Sequence, residues 1–136
     1  MTKLAAATRS LVVERKMPHP PEKIWRALTH GPLIEEWLMK NDFKPVVGHS
    51  FNLRADWGVV DCQVLAVEPN KTVSYTWGAY GLESVVTWTL TATSTGTHLR
   101  MEQSGFRPDQ QQAYQGAKGG WPRFFAALEQ VLARID

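Results

Sequence analysis

The sequence predicts an α+β fold in which one helix lies across one face of an antiparallel sheet. Three observations carry this. A run of short segments with apolar residues at every second position occupies the middle of the chain, from Phe51 to Gln103. These segments are separated by brief turn signals, as in a meander. The last segment, from Trp121 to Ile135, repeats its apolar residues at three and four, the period of a helix. An apolar sheet face and an apolar helix face each need a partner, and each is the partner the other needs.

The elements follow in order. Met1 to Arg9 reads as a flexible N-terminus, and residues 10–136 as a single domain. Leu11, Val13 and Met17 alternate on one side of a first strand, which Pro18-His19-Pro20-Pro21 stops. Pro21 and Glu22 suit the first turn of a helix, with Ile24, Trp25 and Leu28 as its apolar stripe. Gly31-Pro32 opens a second short helix carrying Leu33, Ile34, Trp37 and Leu38, and the polar Lys40-Asn41-Asp42 ends it. Five strands follow, in which Phe51 and Leu53, then Val60 to Val67, then Val73, Tyr75 and Trp77, then Val86, Trp88 and Leu90, then Leu99, Met101 and Gln103 mark the inner face. Counting the first strand, a six-stranded sheet is expected. Asp109 is a plausible N-cap for the last helix. Gly116, Gly119 and Gly120 read as a flexible joint, and Pro122 predicts a helix restart or a kink, because an interior proline costs about 3 kcal/mol.

Composition narrows the function classes. The net charge is +2, from 15 basic and 13 acidic residues, with no basic cluster or stripe, which excludes nucleic acid as a partner. No window is long and apolar enough for a membrane span. Met1 to Ser10 lacks the apolar core of a secretory leader, so the expected location is cytoplasmic. One cysteine, Cys62, permits no internal disulfide. Six tryptophans in 136 residues require either a thick core or an aromatic-lined cavity.

Several pieces together resemble a known family. They are Glu22-Lys23-Ile24-Trp25-Arg26-Ala27-Leu28-Thr29, Leu33 through Trp37, Val67-Glu68-Pro69-Asn70-Lys71, Val73-Ser74-Tyr75-Thr76-Trp77, Gly96-Thr97-His98-Leu99 and Gly120-Trp121. In this order and spacing they resemble the AHSA1-like branch (activator of Hsp90 ATPase homologue) of the START/Bet v 1, or SRPBCC, superfamily. The resemblance implies a helix-grip fold, a curved antiparallel sheet around a long C-terminal helix with a cavity between them.

By alternation the inward set is Phe51, Leu53, Cys62, Val64, Tyr75, Trp77, Val86, Trp88, Leu90, Met101 and Gln103 from the sheet, joined by Trp121 and Phe125 from the helix. This set either packs as a solid core or lines a ligand cavity. The resemblance favours the cavity, with Tyr75, Gln103 and the Trp N–H groups as its polar points. The corresponding function is binding of a hydrophobic or aromatic small molecule. Two alternatives stand beside it: an enzyme of the cyclase or hydrolase type in the same cavity, and a chaperone-directed ATPase-activating module. The second copy in a homodimer is a further partner left open.

The residues speak against chemistry. His19, His30, His49 and His98 lie at no metal-ligand spacing and read as solvated turn residues. Asp61 and Glu102 point outward, Asp56 lies in a turn, and Cys62 has no base placed beside it. No cofactor motif occurs, so no catalytic residue, metal ligand or cofactor is expected. Trp57, Tyr80 and Phe106 are expected as loop aromatics that gate a pocket or fold over the sheet end.

Overall fold

The computed structural model describes residues 7–136. The flexible terminus expected over residues 1–9 falls mostly outside them. From the N-terminus the elements are β1 (Arg9–Met17), α1 (Pro21–Thr29), α2 (Gly31–Trp37), β2 (Lys40–Asn41), β3 (Ser50–Ala55), β4 (Gly58–Glu68), β5 (Thr72–Ala79), β6 (Leu82–Thr93), β7 (Gly96–Phe106) and α3 (Gln111–Arg134). The strands form one antiparallel sheet in the order β1-β7-β6-β5-β4-β3-β2. The meander from β3 to β7 is thus read off the chain directly, and β1 closes the far edge by pairing with β7.

The sheet has seven strands rather than six. The added strand, β2, is a two-residue ladder in which Lys40 and Asn41 oppose Arg54 and Leu53. Two residues show no alternation, which is why a polar stretch concealed it. Asn41 makes it hold: its Nδ2 donates to the Gly31 and Met39 carbonyls, each at 3.0 Å, and its Oδ1 accepts from Phe43 N.

The last helix also differs from expectation. It is one element of 24 residues running through Gly116, Gly119, Gly120 and Pro122, with no restart at Trp121. Pro122 and Lys118, whose carbonyl loses its helical donor, are both exposed, so water can replace the missing N–H. Asp109 is not the N-cap. Gln110 holds that position without a side-chain cap bond, and Asp109 pairs with Arg107 at 3.2 Å.

The core sits between the inner sheet face and one side of α3. Trp88 stacks at a tilt on Phe125 with centroids 5.6 Å apart, and meets Trp121 and Trp37 edge to face at 5.7 and 5.6 Å. Phe106 belongs to this interior and not to a loop: it is fully buried at the end of β7 and packs edge-on against Tyr114. Among the described residues, no helix is long and apolar enough to cross a membrane.

Candidate functional site: a cleft between α3 and the β5–β6 turn

On one side of the front half of α3 a cleft of about 900 Å³ opens. Its helical wall is a stripe of small residues, Ala113, Gly116, Ala117 and Gly120, which recur at three and four and therefore share one face. A methyl group added at Gly116 or Gly120 would meet no atom within 4 Å. Small side chains at these positions leave the space that larger ones would fill. The sheet wall is Trp77, Ala79 and Leu82, the inner end is closed by Gln103, Trp121 and Phe124, and Met39 joins from the segment after α2.

The mouth is built by two turns and the start of α3. Tyr80 and Gly81 have φ of 50° and 83° between paired Ala79 and Leu82, so β5 and β6 are joined by a two-residue turn with both central residues left-handed. Gln110 pins this turn to the helix start, its Nε2 donating to the Gly81 carbonyl at 3.1 Å while its Oε1 accepts from Arg107 N. Trp57, from the β3–β4 turn, completes the rim.

The thirteen inward candidates are all buried, at 8% exposure or less. Three of them, Trp77, Gln103 and Trp121, reach the cleft. The rest pack as solid interior. Phe51 and Tyr75 form an edge-to-face cluster with Phe43, and Trp88 and Phe125 fill the sheet–helix space beyond Trp121. Leu53, Cys62, Val64, Val86, Leu90 and Met101 lie in the same hydrophobic cluster and do not line the cleft.

The polar groups expected to greet a ligand largely satisfy each other. Trp121 Nε1 donates to Gln103 Oε1 at 2.8 Å, Gln103 Nε2 donates to Ser84 Oγ at 3.0 Å, and Ser84 Oγ donates to the Trp77 carbonyl at 2.9 Å. Trp88 Nε1 donates to the Tyr75 hydroxyl at 3.0 Å. Burial pushes the Tyr75 phenol well above its ordinary range, and burial, helped by Asp61 and Asp42, pushes the Cys62 thiol up to about 12. Both stay neutral at physiological pH, so Cys62 is no ready nucleophile.

The outward groups behave as the alternation predicts. Asp61 accepts from Asn52 Nδ2 and Glu102 pairs with Arg100, whereas His98, expected as a solvated turn residue, lies half-buried within β7 and faces Glu14 of β1 at 3.4 Å. No group of three metal-binding side chains occurs among the described residues. A second depression, of about 540 Å³, includes Asp61, Thr76, Glu83 and Ser104 and is shaped by Gly78 and Gly105. No buried polar side chain among the described residues lacks a partner.

The residues that sequence reasoning missed are Met39, Ala79, Leu82, Ala113, Gly116, Ala117, Gly120 and Phe124. The signal for four of them was present: Ala113, Gly116, Ala117 and Gly120 already stand at helical spacing ahead of Trp121, but glycine content reads as a joint.

The fold and sequence have relatives. The protein MLL2253 from Mesorhizobium loti is 70% identical, with a TM-score of 0.91 over 94% of this chain and 99% of that one. BH1534 from Bacillus halodurans is 27% identical, with a TM-score of 0.78 over 97% of this chain and 99% of that one. DynU16, from the dynemicin biosynthetic locus, is 26% identical, with a TM-score of 0.82 over 91% of this chain and 47% of that one. Among curated proteins none matches this sequence. The family model for Activator of Hsp90 ATPase homolog 1-like proteins matches residues 18–133, and with the helix-grip architecture described above the chain belongs to that family.

Proposed function

We propose that the protein binds a hydrophobic small molecule in the cleft between the front of α3 and the β5–β6 turn. The observation that carries this reading is the small-residue stripe of α3 facing a cleft of about 900 Å³ walled by Trp77, Trp121 and Phe124. That volume lies in the range of small-molecule sites, roughly 300–1,000 Å³, whose walls are mainly apolar with a few polar points. Among the described residues, the ionisable side chains on the cleft are Tyr80 and Asp109, both exposed at its mouth, and Asp109 is already paired with Arg107. The interior polar points are the Gln103 amide and its partners. This distribution favours holding a molecule over transforming one. The location of DynU16 in a biosynthetic locus supports a small-molecule partner.

Thermal unfolding against a panel of apolar compounds tests the reading. A ligand at a hundred times its Kd adds about 2.7 kcal/mol to stability and raises the melting temperature by several degrees. A flat response across lipids, linear acyl compounds and aromatic compounds would sink it.

A further inference from the structure

Two tight turns meet at the cleft mouth, and one of them breaks a local rule. In a turn whose two central residues are left-handed, Asn or Gly is favoured first, yet Tyr80 occupies that place with φ of 50°. A bulky side chain rarely adopts this conformation. Tyr80 is also 81% exposed and Trp57 53% exposed, so neither ring is placed for the core. Their ring centroids lie 6.1 Å apart at a 40° tilt, and the Tyr80 hydroxyl donates to the Trp57 carbonyl at 2.5 Å. Gly58 interlocks with them. Its φ is 151°, and a Cβ there would lie 2.3 Å from the Tyr80 hydroxyl oxygen. Any other residue at 58 would push the ring away.

We infer that Trp57 and Tyr80 form an aromatic clamp that receives an uncharged planar ring of the ligand, and that Gly58 is the positioning residue that lets Tyr80 lie across the turn. This rests on the binding reading above and narrows it to a chemical class. The two rings are already in contact. A ring held between them would need roughly twice the 3.5–4 Å van der Waals spacing, so the ligand ring packs against the pair from the cleft side. Offset or edge contacts with Tyr80, Trp57 and Trp77 suit a flat aromatic body better than a flexible chain.

Charge sets the second half of the class. Among the described lining residues there is no Lys or Arg, while Gln111 and Gln112 add amides at the mouth beside the already bonded Gln103 and Gln110. The nearby cations lie off the lining: Arg107 is paired with Asp109, and Arg9 bonds the Gln111 side chain at the rim and lies over the face of Tyr114 at 3.8 Å. A carboxylate or sulfonate seated inside the cleft would lose water with no cation among the described lining residues to meet it. Amides instead serve hydroxyl and carbonyl groups.

Two probes sharing one ring framework test this. N-phenyl-1-naphthylamine is neutral, and 1-anilinonaphthalene-8-sulfonate is the same framework with a sulfonate. The wild-type protein is expected to bind the neutral probe at least about tenfold tighter, and Tyr80→Ala and Trp57→Ala each to weaken that binding about tenfold with little change in melting temperature. Gly58→Ala should weaken it too, and should add nothing to the loss of binding in a Tyr80→Ala background, while its strain at φ of 151° lowers the melting temperature equally in both backgrounds. Equal or tighter binding of the sulfonate overturns the uncharged class. Binding of the neutral probe that stays within about twofold in both aromatic variants overturns the clamp and leaves the cleft reading standing. Absence of binding by either probe removes the clamp and, with a flat thermal panel, the binding reading as well.

Discussion

The two halves of α3 meet the same sheet and do opposite things with it. From Trp121 onward, Phe125, Leu128, Val131 and Leu132 are buried against Trp88 and the α1–α2 pair, leaving no space. Ahead of Trp121, Ala113, Gly116, Ala117 and Gly120 face the same way around the helix and leave a cleft. Helix direction and sheet curvature are common to both halves. The difference is side-chain volume, so the back half holds the fold and the front half is free to hold something else. Trp121 stands at the boundary, one edge on Trp88 and one on Trp77.

Substitutions across that boundary should separate the two roles. The largest effect is expected for Phe125→Ala, which opens a void in the filled half and should cost about 3–5 kcal/mol in denaturant unfolding. If it costs under about 1 kcal/mol, the back half is not the structural half. Next comes Gln103→Leu, which leaves the buried Trp121 Nε1 without its acceptor and Ser84 Oγ with only its bond to the Trp77 carbonyl, and should cost about 1–3 kcal/mol, with the indole fluorescence of the folded state altered as well.

Alkaline pH probes the filled half without mutation. The Cys62 thiol is raised from 9.0 to about 12 in the fold, so below pH 9 it is protonated in both states and contributes no pH dependence. Between those values the unfolded chain loses a proton that the folded chain keeps, and stability should fall by about 1.4 kcal/mol per pH unit from this group alone. Tyr75, raised above 10.0, adds the same sign at higher pH. Cys62→Ala should flatten the first part of that slope. A stability curve unchanged by this variant would show the thiol to be less buried than it is here.

Filling the open half should leave the fold and remove the ligand. Gly120→Leu meets no atom at its Cβ and projects into the cleft, so probe affinity should drop by about tenfold or more at near-constant stability. The smallest effect is Gly119→Ala, at an exposed helical position with open space around it, which should stabilise the protein by up to about 1 kcal/mol and leave binding unchanged.

Much of the fold is legible because its signals are periodic. Alternation at Val73-Tyr75-Trp77 and Val86-Trp88-Leu90 sets both the strands and their inner faces, and those residues are buried as the pattern demands. The two-residue β2 carries no period and was hidden. Phe106 looked like a loop residue because Gly105 interrupts the alternation just before it, where the backbone turns through φ of 109°. The site was less legible than the fold. Alternation reports which side chains point inward but not whether the opposite wall reaches them, and for Phe51, Val64, Tyr75 and Trp88 it does.

The enclosure between sheet and helix was therefore determined by the sequence alone: apolar period two against apolar period three-to-four leaves one way for both faces to be covered. Which part of that enclosure is hollow was decided only in three dimensions. Gly116 and Gly120 break a helix by propensity, and the same lack of a side chain becomes a wall of a cleft once tertiary packing on either side holds the helix straight through them. Trp57, Gly58 and Tyr80 come from turns more than twenty residues apart, and only the antiparallel register brings one hydroxyl to the other turn's carbonyl.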